Sequence, residues 1–328
     1  MMNKMQISPE SVIELLSNYQ KSRVLLTGIE LNVFSAIGNQ KSSSNAIAKK
    51  VGADTRALDR LMNALSGLGF LNKVKCLFSN TDFSKKYLCE NSKEYMLQLG
   101  HIVNMNRNWS RLTDAVRRGK SVGVKRFSNR EQKWFESFIS AMHSRAVWQA
   151  KEIIPLLKPS GMKVLDIGGG SGAHAIEFIR HNAKSVCVFD LPKVIPLTRR
   201  YVRKENMERK IIFRKGDFLK DEFGSGFDIV FISAIIHMLN PKEIRKLFVK
   251  SASALADDGK IVVQDFFMSD DRTDPLRGAL FALNMLVGTA HGDTYTETEV
   301  REWLIEAGFG NIYRIDTTFE APLLLGKK

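Results

Sequence analysis

The sequence predicts an α/β fold, an open and mostly parallel sheet covered by helices on both faces, in the second half of the chain behind a mainly helical first half. Three observations predict it. Short apolar runs recur near residues 163–167, 185–189, 211–214, 228–233 and 260–264, with amphipathic segments between them, the alternation that builds a parallel sheet through helical crossovers. The first run carries Asp166 and passes straight into glycines at 168, 170 and 172, a strand running into a ligand-facing turn. Earlier in the chain, residues 12–16, 24–37, 46–51 and 57–68 place apolar side chains at helical spacing instead.

Taken in order, Ser43 or Ser44 is positioned to cap the third of these helices, Asp54 or Thr55 the fourth, and Gly67 to stop it. A hairpin-like stretch, 70–81, follows, so three helices and a two-stranded wing give residues 1–90 the element order of a winged helix. Residues 24–34 and 57–68 present more apolar surface than a small three-helix unit buries by itself, so dimerisation through this half is expected. Residues 91–158 read as further helices rich in aromatic and sulfur side chains, among them Phe138, Met142 and His143. Such side chains line a core, a domain interface or an apolar substrate pocket. Pro155, Pro159 and Gly161 mark a boundary, and residues 159–328 hold the sheet. The tail adds a helix over 297–307 and strands over 311–315 and 320–325, for seven strands in all.

Composition sets outer limits. With 328 residues, 44% of them hydrophobic and eight prolines, the chain is long enough for two ordinary globular domains. No apolar run approaches bilayer-spanning length and the first residues lack a signal-peptide core, so a cytoplasmic protein without a membrane partner is expected. The three cysteines, Cys76, Cys89 and Cys187, follow no metal-ligand spacing, and no metal is expected. Residues 1–158 hold 25 Lys and Arg against 12 Asp and Glu, while residues 159–328 are nearly balanced at 24 against 23. That asymmetry permits nucleic-acid binding, but the charges are scattered and the fourth helix offers only Arg56 and Arg60, so no specific nucleic-acid partner is expected.

The glycine loop points to a nucleotide-like cofactor. Gly168, Gly170 and Ala173 also fit a dinucleotide pattern, but three acids argue for a cationic ligand. Asp166 stands two residues before the first glycine, suited to the positive amino-acid end of S-adenosylmethionine and ill suited to a pyrophosphate. Asp190 closes the second strand, at the spacing where an acid accepts ribose hydroxyls. Asp217 and Phe218 follow the third strand, an acid and an aromatic ring available to adenine. Leu191 and Ser233, at the ends of the second and fourth strands, complete the candidate cofactor set.

The segments Val-Leu-Asp-Ile-Gly-Gly-Gly-Ser-Gly (164–172), Phe-Asp-Leu-Pro (189–192), Gly-Asp-Phe (216–218) and Gly-Lys-Ile-Val-Val (259–263) resemble the small-molecule O-methyltransferases that carry an N-terminal dimerisation domain. These include plant caffeate and flavonoid enzymes, acetylserotonin methyltransferase and bacterial natural-product enzymes. The resemblance implies a Rossmann-like class I methyltransferase sheet with its last strand antiparallel, S-adenosylmethionine as cofactor, and a homodimer held by a winged-helix-like N-terminal domain. It also implies a general base at His237, just after the fourth strand, oriented by Asp265 after the fifth. Two departures stand out: Met238-Leu239 replaces the usual Asp-Trp, and Thr294 falls where relatives place a second orienting Glu. Phe281, Asn284, Met285 and Thr294 join Phe138, Met142 and His143 as candidate pocket residues for a small hydroxylated aromatic acceptor. Two other readings stay open, a C- or N-methylating or non-methylating relative on the same scaffold and a winged-helix DNA-binding regulator.

Overall fold

The computed structural model describes residues 7–122 and 132–328, and the chain divides into two compact units, residues 1–99 and 100–328. In the first unit the order is α1 (Pro9–Ser17), α2 (Tyr19–Glu30), α3 (Val33–Ile37), β1 (Ser42–Ser43), α4 (Ser44–Val51), α5 (Thr55–Gly67), β2 (Leu71–Val74), β3 (Leu77–Asn80) and α6 (Asp82–Tyr87). The hairpin β2–β3 gains β1 as a third antiparallel strand, in the order β1-β3-β2. Ser43 and Asp54 are the caps, accepting from the amides of Ala46 and Ala57. The helical stretch expected over 24–37 is broken, because Asn32 adopts a left-handed backbone (φ 55°), a conformation asparagine tolerates better than most residues.

Val33, Phe34, Leu58, Met62, Leu65 and Phe78 form the core of this unit. The apolar faces of α2, α3 and α5 are therefore largely spent inside it. The apolar surplus lies on α1, which buries nothing: Ile13, Leu15 and Leu16 are 60–68% exposed.

The second unit continues with α7 (Leu99–Trp109), α8 (Leu112–Arg118), α9 (Gln132–Leu156), β4 (Lys163–Ile167), α10 (Ala173–Arg180), β5 (Ser185–Asp190), α11 (Ile195–Lys204), β6 (Ile211–Lys215) and β7 (Phe227–Ser233). After these come α12 (Pro241–Ala254), β8 (Leu255–Gln264), β9 (Phe267–Met268), α13 (Leu276–Gly288), β10 (Tyr295–Thr296), α14 (Glu297–Glu306), β11 (Gly310–Ile315) and β12 (Leu323–Lys327). Seven strands form one sheet in the order β11-β12-β8-β7-β4-β5-β6, and β12 runs antiparallel to both of its neighbours. Alternate residues serve opposite faces, which is why the central strands are apolar throughout. Leu165, Ile167, Val230 and Val263 pack under α12 and α14, while Val164, Val188, Phe231 and Val262 pack under α9 and α10.

Three boundaries differ from the sequence reading. Pro155 lies inside the last turn of α9, and only Pro159 and Gly161 fall beyond its end. β8 begins at Leu255 rather than 260, because left-handed Asp258 (φ 63°) and Gly259 form an irregularity within a continuing strand. The last strand starts at Leu323 rather than 320, since Glu320 is itself left-handed (φ 57°) and cannot extend the ladder. Among the described residues no helix is long and apolar enough to cross a membrane.

Candidate active site

The sheet order puts the carboxyl ends of β4, β5, β7 and β8 along one edge, with β4 and β5 on one side of the switch in connection and β7 and β8 on the other. After β4 the chain turns through Gly168 (φ 69°) and Gly170 (φ 56°) into α10. A methyl group at Gly168 would meet Ile235 Cδ1 at 2.3 Å and one at Gly169 would meet Asp166 Oδ2 at 2.5 Å. The loop is thus pressed onto the Asp166 carboxylate, and only bare backbone fits there. Thr198 of α11 donates to the Gly170 carbonyl (2.6 Å) and so ties the loop to the next helix.

Asp190 holds the same loop from the end of β5. Its Oδ2 accepts from the Gly170 amide (2.8 Å) and its Oδ1 from the Leu191 amide (2.7 Å), so each oxygen keeps a further lone pair for a ligand hydroxyl. Burial pushes its pKa up to about 6, opposed by the two backbone donors. Asp166 is more extreme. Burial, and then the neighbouring Asp190 charge, push it up to about 8, and its Oδ2 has no hydrogen-bond partner among the described residues. A buried acid left unpartnered beside a second acid suits a cationic ligand group, which would supply the missing donor and the missing charge. These residues therefore fit a cationic cofactor such as S-adenosylmethionine.

On the other side of the switch, His237 follows β7 in a short 3-10 turn, and its Nδ1 lies 2.8 Å from Oδ1 and 3.0 Å from Oδ2 of Asp265. Asp265 also accepts from the Phe266 amide (2.9 Å), and both partners are buried. A carboxylate at Nδ1 requires the proton on that nitrogen and leaves Nε2 as the acceptor. Phe281 of α13 meets the imidazole edge-on at 4.8 Å and closes one side of it. The backbone of the 292–294 loop backs His237, since the Asp293 amide donates to the His237 carbonyl (3.0 Å) and a methyl at Gly292 would meet that oxygen at 2.4 Å. The Thr294 hydroxyl points elsewhere, to the Gly278 carbonyl at 3.4 Å, so Asp265 is the carboxylate that holds His237.

The remaining candidates are spread along this edge. Ser233 donates to Gln264 Oε1 (2.5 Å), linking the ends of β7 and β8. Asp217 accepts from the Leu219 amide, and the Phe218 carbonyl accepts from Lys250 Nζ, which fixes the turn after β6. His143 Nδ1 lies 2.9 Å from Ser171 Oγ, beside the glycine loop, and burial holds its pKa low. Phe138 stacks on Trp134 and packs near Leu191, in a cluster with Val194 and Leu197. Asn284 accepts from the Trp109 indole, tying α13 to α7. Met142 is half-buried, and Met285 borders a cleft of about 310 Å³ shared with Asn240, His291 and Asp293. Sequence reasoning missed Thr198, Ser171 and the pair Arg145 and Arg277. Nothing local in the sequence singles out Arg145, which stands in α9 among Ser140, His143, Ser144 and Gln149 as well as apolar residues.

A glycine cradle lined by two raised carboxylates, beside an imidazole held by a third, defines an α/β enzyme that joins a cationic nucleotide cofactor to a proton acceptor. The O-methyltransferase domain matches residues 109–310 and the O-methyltransferase dimerisation domain residues 13–90, so the chain belongs to the O-methyltransferase family. Among its relatives is the 3-hydroxy-5-methyl-1-naphthoate 3-O-methyltransferase of Streptomyces sahachiroi, 28% identical over 93% of this chain and 90% of its own. Acetylserotonin O-methyltransferase of Gallus gallus is 29% identical, covering 98% and 97%. The human N-acetylserotonin methyltransferase, solved with S-adenosylmethionine, shares the fold with a TM-score of 0.80 over 100% of this chain and 99% of its own, at 24% identity. The protein is an S-adenosylmethionine-dependent O-methyltransferase of the small-molecule type.

Proposed function

We propose that this enzyme methylates a hydroxyl group on a small aromatic acceptor, with His237 as general base, Asp265 as its positioning residue, and the cofactor held by Asp166, the 168–172 loop, Asp190, Leu191, Asp217, Phe218 and Ser233. The observation that carries this reading is the His237–Asp265 pair, 2.8 Å apart at the strand edge that also bears the glycine loop. S-adenosylmethionine supplies an electrophilic methyl group bound to a sulfonium. His237 Nε2 takes the acceptor's proton, and Asp265 stabilises the imidazolium that forms. A free phenol has a reference pKa of about 10 and imidazole about 6.5, so complete prior proton transfer would cost ~5 kcal/mol. Transfer concerted with attack, or from a hydroxyl acidified by conjugation, avoids most of that cost. Phe281, Met142 and Met285 keep the site apolar, which favours a step in which opposite charges cancel. Aromatic hydroxyl acceptors fit the two relatives named above, whose names give a hydroxylated naphthoate and acetylserotonin as substrates.

The first unit supplies the dimer contact. Its exposed α1 face gives a second copy an apolar surface to cover, and its scattered basic charge is a solvated surface without a specific nucleic-acid partner. A cytoplasmic location accords with these features. The test is His237→Ala: cofactor affinity by calorimetry should be kept, while turnover on an unactivated phenol should fall by roughly 10²- to 10⁴-fold. The loss should shrink for acceptors already ionised at the assay pH. A variant within about threefold of the parent on an unactivated hydroxyl rejects His237 as base and points to positioning alone.

A further inference from the structure

Phe266 follows Asp265 directly, and its ring joins the base through Phe281, 4.8 Å from each. Two guanidinium groups from different helices converge on that ring. Arg145 of α9 lies 5.7 Å from its centre and Arg277 of α13 lies 5.8 Å away. Neither forms a hydrogen bond or ion pair with any described residue, although most of the described arginines are paired. Arg145 is half-buried, and burial together with the nearby Arg277 charge lowers its pKa, against the pull of Asp265. Asp265 cannot neutralise both cations, because it carries a single negative charge, and its oxygens are turned to His237 and the Phe266 amide.

Two like charges gathered on one ring, one of them half-buried, are costly unless an anion completes the cluster. A fold-stabilising cation–π pair needs only one of them. Resting on the reading of His237 as the base, we propose that Arg145 and Arg277 form the acceptor's carboxylate subsite, so that the substrate class is a hydroxylated aromatic carboxylic acid. The aromatic body lies along Phe266 and Phe281, its hydroxyl is presented to His237, and its carboxylate is taken by the two guanidinium groups, which match a carboxylate fork.

The experiment uses matched pairs of probes: para-hydroxybenzoate, para-hydroxycinnamate and 6-hydroxy-2-naphthoate, each against its neutral carboxamide. Binding is read by calorimetry on full-length enzyme loaded with S-adenosylhomocysteine, and turnover by release of that product from S-adenosylmethionine. At least one acid should bind about tenfold or more tightly than its amide. Arg145→Met and Arg277→Met should each erase most of that preference, raising KM for the acid far more than they lower kcat and leaving the amide within about threefold. Arg145→Lys should restore part of it. Arg277 is exposed, so its variant serves if Arg145→Met does not fold. Equal binding of acids and amides, an acid preference untouched in both variants, or failure of every acid to bind overturns the proposal. Methyl transfer to the amides without an acid preference would leave the methyltransferase reading standing, whereas failure of S-adenosylmethionine to bind removes the ground for both.

Discussion

Asp166 carries the sharpest expectation at the scale of single residues. Its pKa of about 8 and that of Asp190, about 6, both exceed the ordinary carboxylate value of 3.8. Between those limits the native state holds more protons than the unfolded chain, so the stability of the unliganded enzyme falls as pH rises through roughly 4 to 8, with a slope of up to about 1.4 kcal/mol per pH unit per proton. Asp166→Asn removes the larger part, so its melting temperature should vary less with pH than the parent's and should lie above it near the upper limit. S-adenosylmethionine, whose positive end favours the ionised acid, should bind the parent more tightly as pH rises through the same window. A parent whose stability is flat from about pH 5 to 8 would refute the assignment. The positions of Asp166, Asp190 and His237 at strand ends could be read from the sequence, because sharp turns at a sheet edge call for glycine and short acids whatever the rest of the chain does. The arginine cluster could not. It forms from α9, α13 and Phe266 in the turn beyond β8, and nothing local in any of the three announces the other two.

Elements were legible where periodicity was strong and caps were local. Asn240 illustrates such a cap at the start of α12: its side chain accepts from the Glu243 amide (3.0 Å) while the Glu243 carboxylate accepts from the Asn240 amide (2.9 Å), a reciprocal box with Pro241 at the first helical position. The cap also fixes the exit of the His237 turn, three residues upstream. Asn240→Ala should cost about 1 kcal/mol of stability, read by denaturant unfolding. Because the turn loosens as well, kcat should fall more than cofactor affinity does; an unchanged kcat would show that Asp265 and the 292–294 loop suffice to hold the base. Apart from Pro155 inside α9, the misread boundaries share one cause. Asn32, Asp258 and Glu320 are all left-handed non-glycine residues, and such a conformation is imposed by tertiary pairing rather than announced by residue type. Asp257-Asp258-Gly259 reads as a turn, yet the strand continues through it because β7 pairs with β8 on both sides of the irregularity.

For the molecule as a whole, the sequence signalled an apolar excess in the first half but not its location. Residues 24–34 and 57–68 read as the sticky surface, yet α2, α3 and α5 consume most of their apolar side chains in a core of their own. Periodicity reveals that a helix has an apolar face but not which neighbour covers it. The uncovered face is α1, where Val12, Ile13, Leu15 and Leu16 are exposed, as is Tyr19 at the start of α2, and the dimerisation domain match begins at residue 13. We expect an apolar helix face of this size in a dimerisation domain to serve as the interface, since covering it with its twin buries both copies by symmetry. Ile13→Glu with Leu16→Glu should therefore convert the enzyme from dimer to monomer by light scattering at micromolar concentration, with little change in the far-ultraviolet helical signal, because α1 buries nothing within its own protomer. Monomerisation should also lower the melting temperature and make that of the parent depend on protein concentration. A double variant that stays dimeric would move the interface off α1, and a parent that is already monomeric would remove the dimer altogether.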